Sequence, residues 1–489
     1  MSDQNECVVS IEEPCALRTD GRAASTSEDD QSTEIDNVSP DEADNMDVRI
    51  RNLKKLVEEE NQEKTTDGPN QSARPPKIQK VPFILRDREG FHKCYEPRVV
   101  SIGPIHHKKP NLRFAEQYKP KLTAMFIKES KQETEALYNV INDRIQELKD
   151  CYHEDVVKDY DDKTLSWILF LDGCSILVFI HGFIHGKLKY FKIKTDHIAF
   201  TQHDLFLLEN QIPFQVLRLL MDSTPPSFKT ELKKSIAQFI CANVMAPVAF
   251  KKYLSFDMDK LDPIHLLDLL QHVAVLSNKE KIAIINGSEH QTQQSFRNVQ
   301  ELKAAGIGLI PNKFCSLSDI TFYSFCFKGW LELPPLIVDD STAPKFLNLI
   351  AYEGCPDNFR TNYEITSYIS FLDSLIDHAN DVKELRSAKI LHNLLGCDEE
   401  VASLFNEIAR DLVPNDGHYK DVKIAIQLHY DSRWMTWIAE AYNDHFSSPW
   451  TILAFIAALV ALALSGIQTW FGVFSPSDPC TNCSACTRK

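Results

Sequence analysis

Glycine is scarce, at 16 of 489 residues, which weighs against phosphate sites built from Gly-rich loops. A basic surplus is missing too. Lys and Arg number 53 against 69 Asp and Glu, so no general cationic face is available to displace counterions from nucleic acid. The acidic surplus is local: residues 1–47 hold 14 acidic and 2 basic side chains, and the other 442 carry a net charge of only −4. A dense disulfide framework is also lacking. The cysteines total 13, an odd number, and those from Cys7 to Cys397 are widely scattered, which suits a reducing compartment. No secretory leader is expected, because six acidic residues precede Asp29 and no apolar run accompanies them.

The C-terminal region shows what is present instead. From Phe446 to Ser477 there is no Asp, Glu, Lys, Arg or His. Within it, Trp450 to Trp470 is a run of 21 residues rich in Leu, Ile, Val, Ala and Phe and framed by indoles. As a helix it spans about 30 Å, the thickness of bilayer hydrocarbon, and Trp at each border matches the aromatic belt. A single membrane span is expected at 449–473. Its nearness to the end of translation predicts post-translational insertion, with residues 1–448 in the cytosol. The plasma membrane is the favoured site. Flanking charges, Arg433 on one side and Arg488 with Lys489 on the other, say little about orientation.

A second apolar stretch, Trp167 to Ile184, has 18 residues with 11 Leu, Ile, Val or Phe. Asp172 alone offsets over half of the roughly 5 kcal/mol that those side chains would contribute in a bilayer. Gly173, Ser175, His181 and Gly182 take up most of the rest. The segment reads as the central buried helix of a soluble domain, with a second span as the alternative.

The remaining pattern predicts a mostly α fold: a helical globular domain over 79–448 with a small β element near 319–338. Residues 1–78 read as an acidic disordered arm with a short helix at 46–63. A polar linker covers 68–76. An extended piece, Arg98 to Ile102, ends at Gly103-Pro104. A long amphipathic helix is expected from Arg113 to Lys149. Asp204 to Met221 reads as a helix kinked or broken by Pro213. Further helices fall near 230–249, 263–276, 294–305, 343–352, 364–378, 399–411 and 418–445. The segments ITFYSFCF and WLELPPLIV between Asp319 and Val338 predict two or three strands.

Chemistry is harder to find. Gly182-Phe-Ile-His-Gly186-Lys187-Leu188 has three residues between its glycines where a phosphate loop needs four, and Leu188 where Ser or Thr should hold magnesium. His181 and His185 share a helix face but lack the glutamate of a zinc protease, so a packed histidine pair is expected. Asp172 among apolar neighbours needs a partner if ionised and reads as a hydrogen-bonding hub. Glu209-Asn210-Gln211 should satisfy backbone groups freed by Pro213. Lys187, Lys189, Lys192 and Lys194 bracket Tyr190 and Phe191 and read as a solvated loop, with contact to anionic lipid or nucleic acid as the sharper alternative. In the 474–489 tail, Cys480, Cys483 and Cys486 lack a fourth ligand and read as free or acylated thiols. The N-x-S triplets at Asn37, Asn70, Asn286 and Asn482 matter only in a lumenal region. No catalytic set, metal site, cofactor or small-molecule substrate emerges.

Several strings occur in a familiar order. They are Lys80-Val-Pro-Phe, Tyr95-Glu-Pro97, Val100-Ser-Ile-Gly-Pro-Ile-His-His107, Phe170-Leu-Asp-Gly-Cys174 and Asp204-Leu-Phe-Leu-Leu-Glu-Asn-Gln-Ile-Pro213. Asn348-Leu-Ile-Ala-Tyr-Glu353, Ile365-Thr-Ser-Tyr368 and Pro449-Trp450-Thr451 follow. Across about 80–470 the chain resembles the plant domain of unknown function 247 family. The resemblance implies a plant protein with one C-terminal span and no established activity, cofactor or catalytic residue. Some grass members are linked to self-incompatibility as pollen-side recognition factors. The expectation is therefore a non-enzymatic, membrane-anchored recognition or signalling protein with protein partners. The competing expectation is an enzyme of unknown reaction whose site joins Asp172, His106, His107 and Glu209.

Overall fold

The computed structural model describes residues 75–277, 298–431 and 449–473, except 89, 253, 255, 326, 327 and 360, together with the isolated positions 50 and 54. Most of the acidic arm and of the helix expected at 46–63, the Cys480–Cys486 tail and the end of the helix expected at 418–445 lie outside these residues.

The apolar stretch around Asp172 forms the axis of the domain. We number helices of six residues or more: α1 (Lys119–Ser130), α2 (Thr134–Asn142), α3 (Asp162–Ile184), α4 (Thr195–Asp204), α5 (Phe214–Asp222), α6 (Pro226–Asn243) and α7 (Leu266–Val275). Asp161 caps α3, its Oδ1 accepting the N–H groups of Lys163 and Thr164 at 3.1 and 3.0 Å. Helices α1, α2, α5 and α6 all pack on α3, and 72% of its apolar window is buried. A helix apolar all round needs such a jacket, so α3 is core, as its composition suggested. Gly173 allows the closest approach: a Cβ there would stand 2.7 Å from Leu220 Cδ1 and 2.8 Å from Val216 Cγ1 of α5.

Two expected helices are corrected. Arg113–Lys149 is four pieces, not one. Lys131, at φ 57°, ends α1, and α2 returns along α3 before a short turn at Ile145–Lys149. An unbroken helix of that length would run about 55 Å, past the core it has to cover. Asp204–Met221 is not a kinked helix either. Between α4 and α5 the chain is irregular from Leu205 to Pro213, because side-chain amides take the carbonyls that helical N–H groups would use. Gln211 Nε2 donates to Leu205 O and Leu207 O at 2.9 and 2.8 Å, and Asn210 Nδ2 to Asp204 O at 2.9 Å.

Helix α8 (Val299–Ala304) leads into β1 (Ile307–Pro311), followed by β2 (Thr321–Phe325) and β3 (Lys328–Leu333). Strand β3 is central, parallel to β1 with Ile307 opposite Gly329, and antiparallel to β2 with Phe322 opposite Leu331. Pro334 and Pro335, lacking N–H donors, end that ladder. The chain then leaves as β4 (Leu336–Val338) to pair, in parallel, with a distant β5 (Leu391–Asn393). The β element is thus present near 319–338, with β1 and β5 recruited from outside it. Helices α9 (Thr342–Glu353), α10 (Glu364–Leu375) and α11 (Ala379–Ser387) precede β5, and α12 (Asp398–Ala409) and α13 (Lys420–Asp431) follow.

Helix α14 (Pro449–Val473) differs from the rest. From Leu453 to Val473 it is long and apolar enough to cross a membrane, and none of its apolar window is buried.

Candidate functional site

The sequence strings meet around one irregular segment, Arg98 to His107. Asp204, the last residue of α4, collects three of its N–H groups: Arg98 on Oδ1 at 2.9 Å, Val99 and Val100 on Oδ2 at 2.8 and 2.9 Å. Asn210 accepts Ile102 N–H at 2.7 Å and returns a hydrogen bond to Val100 O at 3.1 Å. Asp172, from α3, accepts Gly103 N–H at 2.8 Å. Lys119 donates to Ser101 O at 2.6 Å. The segment is therefore held by side chains in place of a neighbouring strand, with three consecutive N–H groups converging on the Asp204 carboxylate.

Gly103 turns the segment into Pro104. Its φ of 70° favours glycine, and a Cβ there would meet Gln211 O at 2.5 Å. Beyond the turn, His106 Nε2 comes within 3.2 Å of Glu209 Oε2, close enough for an ion pair but off the line of a hydrogen bond. Glu209 Oε1 accepts Val81 N–H at 2.9 Å and pairs with Arg86. Burial alone would raise the Glu209 carboxyl; the His106 imidazole, the Val81 N–H and Arg86 together hold it below the usual range.

The structure thus divides the candidate polar cluster of the sequence, His106, His107, Asp172, Glu209, Asn210 and Gln211. His106 and Glu209 meet. Asp172 joins Lys119 and Gly103 instead. His107 belongs to neither group: it stands half-buried with its ring 6.3 Å from that of Tyr160, and burial followed by Lys119 lowers its pKa. Asn210 and Gln211 work on backbone, but the carbonyls they take are those of Val100, Asp204, Leu205 and Leu207, not the Glu209 carbonyl that Pro213 leaves without a helical donor. Gln211 Oε1 accepts Leu267 N–H of α7 at 3.2 Å, and Asn348 of α9 completes the knot by accepting Leu208 N–H at 2.8 Å.

Asp172, Glu209 and Asn210 are each 1% exposed and Gln211 is 2% exposed. Their lone pairs and protons are spent on the protein itself, so their chemistry is that of a clamp. Lys119 is the clearest case. Burial would lower its pKa, but Asp172 at 2.6 Å and Glu116 at 2.8 Å outweigh this and raise it, leaving a buried ammonium between two carboxylates and the Ser101 carbonyl. Burial also raises Asp172, against Lys119 and the Gly103 N–H.

A different group faces a cleft, and the sequence reading missed it. Asp268 and His272 lie one turn apart on α7, a spacing that was visible but too common to single out. Asp268 Oδ1 accepts Tyr352 OH at 2.9 Å, its Oδ2 accepts Ile264 N–H at 2.9 Å, and His272 Nδ1 sits 2.9 Å from Asp268 O and 3.3 Å from Oδ1. The Asp268 bond raises His272 to about 9. These side chains and Glu364 border an open cavity of about 130 Å³. It has the orienting half of an acid–base pair, and among the described residues the hydroxyls that line it are those of Tyr352, held by Asp268, and Thr361. Among the described residues no three His, Cys, Asp or Glu side chains converge as metal ligands, and seven cysteines are free thiols.

Comparison with known proteins follows the same boundaries. The family described as a plant protein of unknown function matches residues 78–464, from the start of the folded domain into α14. A UPF0481 protein of Arabidopsis thaliana is 28% identical over 423 residues, covering 80% of this chain and 86% of its own. A putative UPF0481 protein of the same plant is 23% identical over 477 residues, covering 78% of this chain and 87% of its own. No solved structure matches. The chain belongs to the plant family of proteins of unknown function called domain of unknown function 247.

Proposed function

We propose that this protein is a non-enzymatic, membrane-anchored recognition or signalling protein whose helical domain binds protein partners. The carrying observation is α14, which exposes an apolar surface from Leu453 to Val473 that only a bilayer or another apolar surface would cover. The buried polar side chains support the same reading, since the clamp fixes the shape of the domain and leaves little for substrate chemistry. Held at a membrane, such a domain needs only modest affinity for a partner held there too, because tethering raises effective concentration. Residues before α14 face the cytosol of the plasma membrane in this reading. Self-incompatibility recognition is one concrete form, resting on family resemblance alone.

The test is proximity labelling in intact plant cells, with the labelling enzyme fused at Met1 and Trp450–Trp470 either kept or deleted. Cytosolic signalling proteins enriched only with the anchor support the reading. Lumenal neighbours reverse the topology, and an unchanged set of neighbours removes the anchor from the argument. An enzyme reading now centres on His272 and Asp268 at their cleft. It would require turnover that His272→Gln abolishes while stability is retained.

A further inference from the structure

The end of α3 shows how a short basic loop is made rigid. Gly186, at φ 65°, donates its N–H to Phe183 O at 3.3 Å, and Lys187 N–H reaches back to Gly182 O at 2.7 Å. This paired closure is the Schellman motif. Gly182 also makes room for Leu188: a Cβ there would stand 2.8 Å from Leu188 Cδ2. Leu188 is buried as the peg of the loop, and its neighbours are turned outward. Lys187, Lys189, Lys192 and Lys194 are exposed, and Tyr190 is 75% exposed. The two glycines that resembled a phosphate loop therefore serve the helix stop and the peg.

Charge makes this loop an exception in the chain. Residues 187–194 hold four lysines and no acid, in a protein of net charge −16. None of the four is ion-paired among the described residues. Lys187 Nζ lies 3.5 Å from His181 Nε2, and His181 Nδ1 is 3.2 Å from Ser235 Oγ. Ser235 gives its own proton to Glu231 O, so its oxygen accepts from His181 Nδ1 and the imidazole presents a lone pair to Lys187. Burial, His185 and Lys187 all keep that imidazole neutral, against Glu231 and Glu129. Lys189 Nζ stands 5.6 Å from the Tyr190 ring centre.

We propose that the 187–194 loop is a second membrane contact, which lays Tyr190 and its lysines on an anionic lipid surface. Lysines are point charges suited to a diffuse anionic plane, and the loop has no arginine fork for bidentate phosphate or base recognition. A single exposed tyrosine fits the headgroup boundary and offers no series of rings on which bases could stack. Each lysine near an anionic leaflet adds roughly five-fold to binding, which becomes effective once α14 holds the domain at the bilayer. The inference rests in that respect on the anchored reading above.

The experiment uses the full chain in nanodiscs of phosphatidylcholine alone or mixed with phosphatidylserine. Amide hydrogen exchange in 187–194 should slow several-fold only in the mixed discs and recover at high salt. A variant carrying K187Q, K189Q, K192Q and K194Q should lose the difference while α3 keeps its protection, which separates contact from folding. Equal exchange in both discs, protection that survives the four substitutions, or protection by RNA without anionic lipid overturns the proposal. Failure of α14 to insert is a separate readout, seen as release of the chain by alkaline extraction. In that event preformed vesicles decide: flotation that needs both phosphatidylserine and the lysines keeps the contact, and its absence ends it.

Discussion

Lys119 Nζ lies 2.6 Å from Asp172 Oδ1 and 2.6 Å from the carbonyl oxygen of Ser101, so one buried ammonium joins α1, α3 and the 98–107 segment. Removing one partner of such a pair leaves an uncompensated buried charge, which costs about 3–5 kcal/mol. Asp172→Leu should therefore lower the denaturation midpoint strongly, and Lys119→Met similarly. The double variant should recover part of the loss, since two apolar groups in the same volume can be nearly neutral. A double-mutant cycle by chemical denaturation in detergent measures this. Additive losses would mean that the two groups act independently.

Gly103 is a position where shape alone decides. Its left-handed backbone and the Gln211 carbonyl in the path of any Cβ predict that Gly103→Ala costs about 2–4 kcal/mol. The segment held by Asp204, Asn210 and Asp172 should loosen first. Hydrogen exchange at Val99, Val100 and Ile102 should rise before that of α3. Unchanged protection there would show that the turn is not what seats the segment.

The sequence made the core helix and the β element legible because burial leaves a local trace. Asp162–Ile184 is apolar on every side, and the strands around Trp330 are β-branched and aromatic. The loop at 205–213 was not legible, because its apolar pattern suits a helix. What unwinds it is the set of side-chain amide hydrogen bonds that Asn210 and Gln211 donate to carbonyls and accept from the Ile102 and Leu267 N–H groups, pairings that no local period reports. For the same reason Asp172 could be read as needing a partner, while Lys119 could not be identified as that partner. Lys119 lies 53 positions earlier in the chain, and only packing of α1 on α3 brings it there.

Helix α14 makes a direct prediction. A charged residue at the centre of a span costs about 2.5–3.5 kcal/mol of insertion free energy. Replacing both Ala458 and Leu462 with Arg should shift the protein from the carbonate-resistant membrane fraction to the soluble or aggregated fraction, while the same change at exposed Lys187 and Lys189 should not. Retention of the double-arginine chain in the membrane would place its anchorage elsewhere.

His265, which caps α7, and His272 within it should give stability a maximum near neutrality. His265 is fully buried and caps the helix, its Nδ1 accepting Asp268 N–H at 3.0 Å. Burial holds its pKa down at about 4, and a protonated ring has no lone pair left for the cap. Between about 4 and the unfolded value near 6.5, the unfolded chain binds a proton that the folded one refuses. Stability is thus complete above that range and falls with acid, by up to about 3 kcal/mol. His272 acts in the opposite sense. Asp268 raises it to about 9, so its contribution is complete below about 6.5 and is lost as pH climbs through 9. Its side chain is 44% exposed, and solvent screening limits that term to about 1 kcal/mol. Denaturation midpoints followed across pH should show both limbs. His265→Asn, which can still cap, should flatten the acid limb only, and His272→Gln the alkaline limb only. An acid limb that persists unchanged in His265→Asn would assign the loss to other groups.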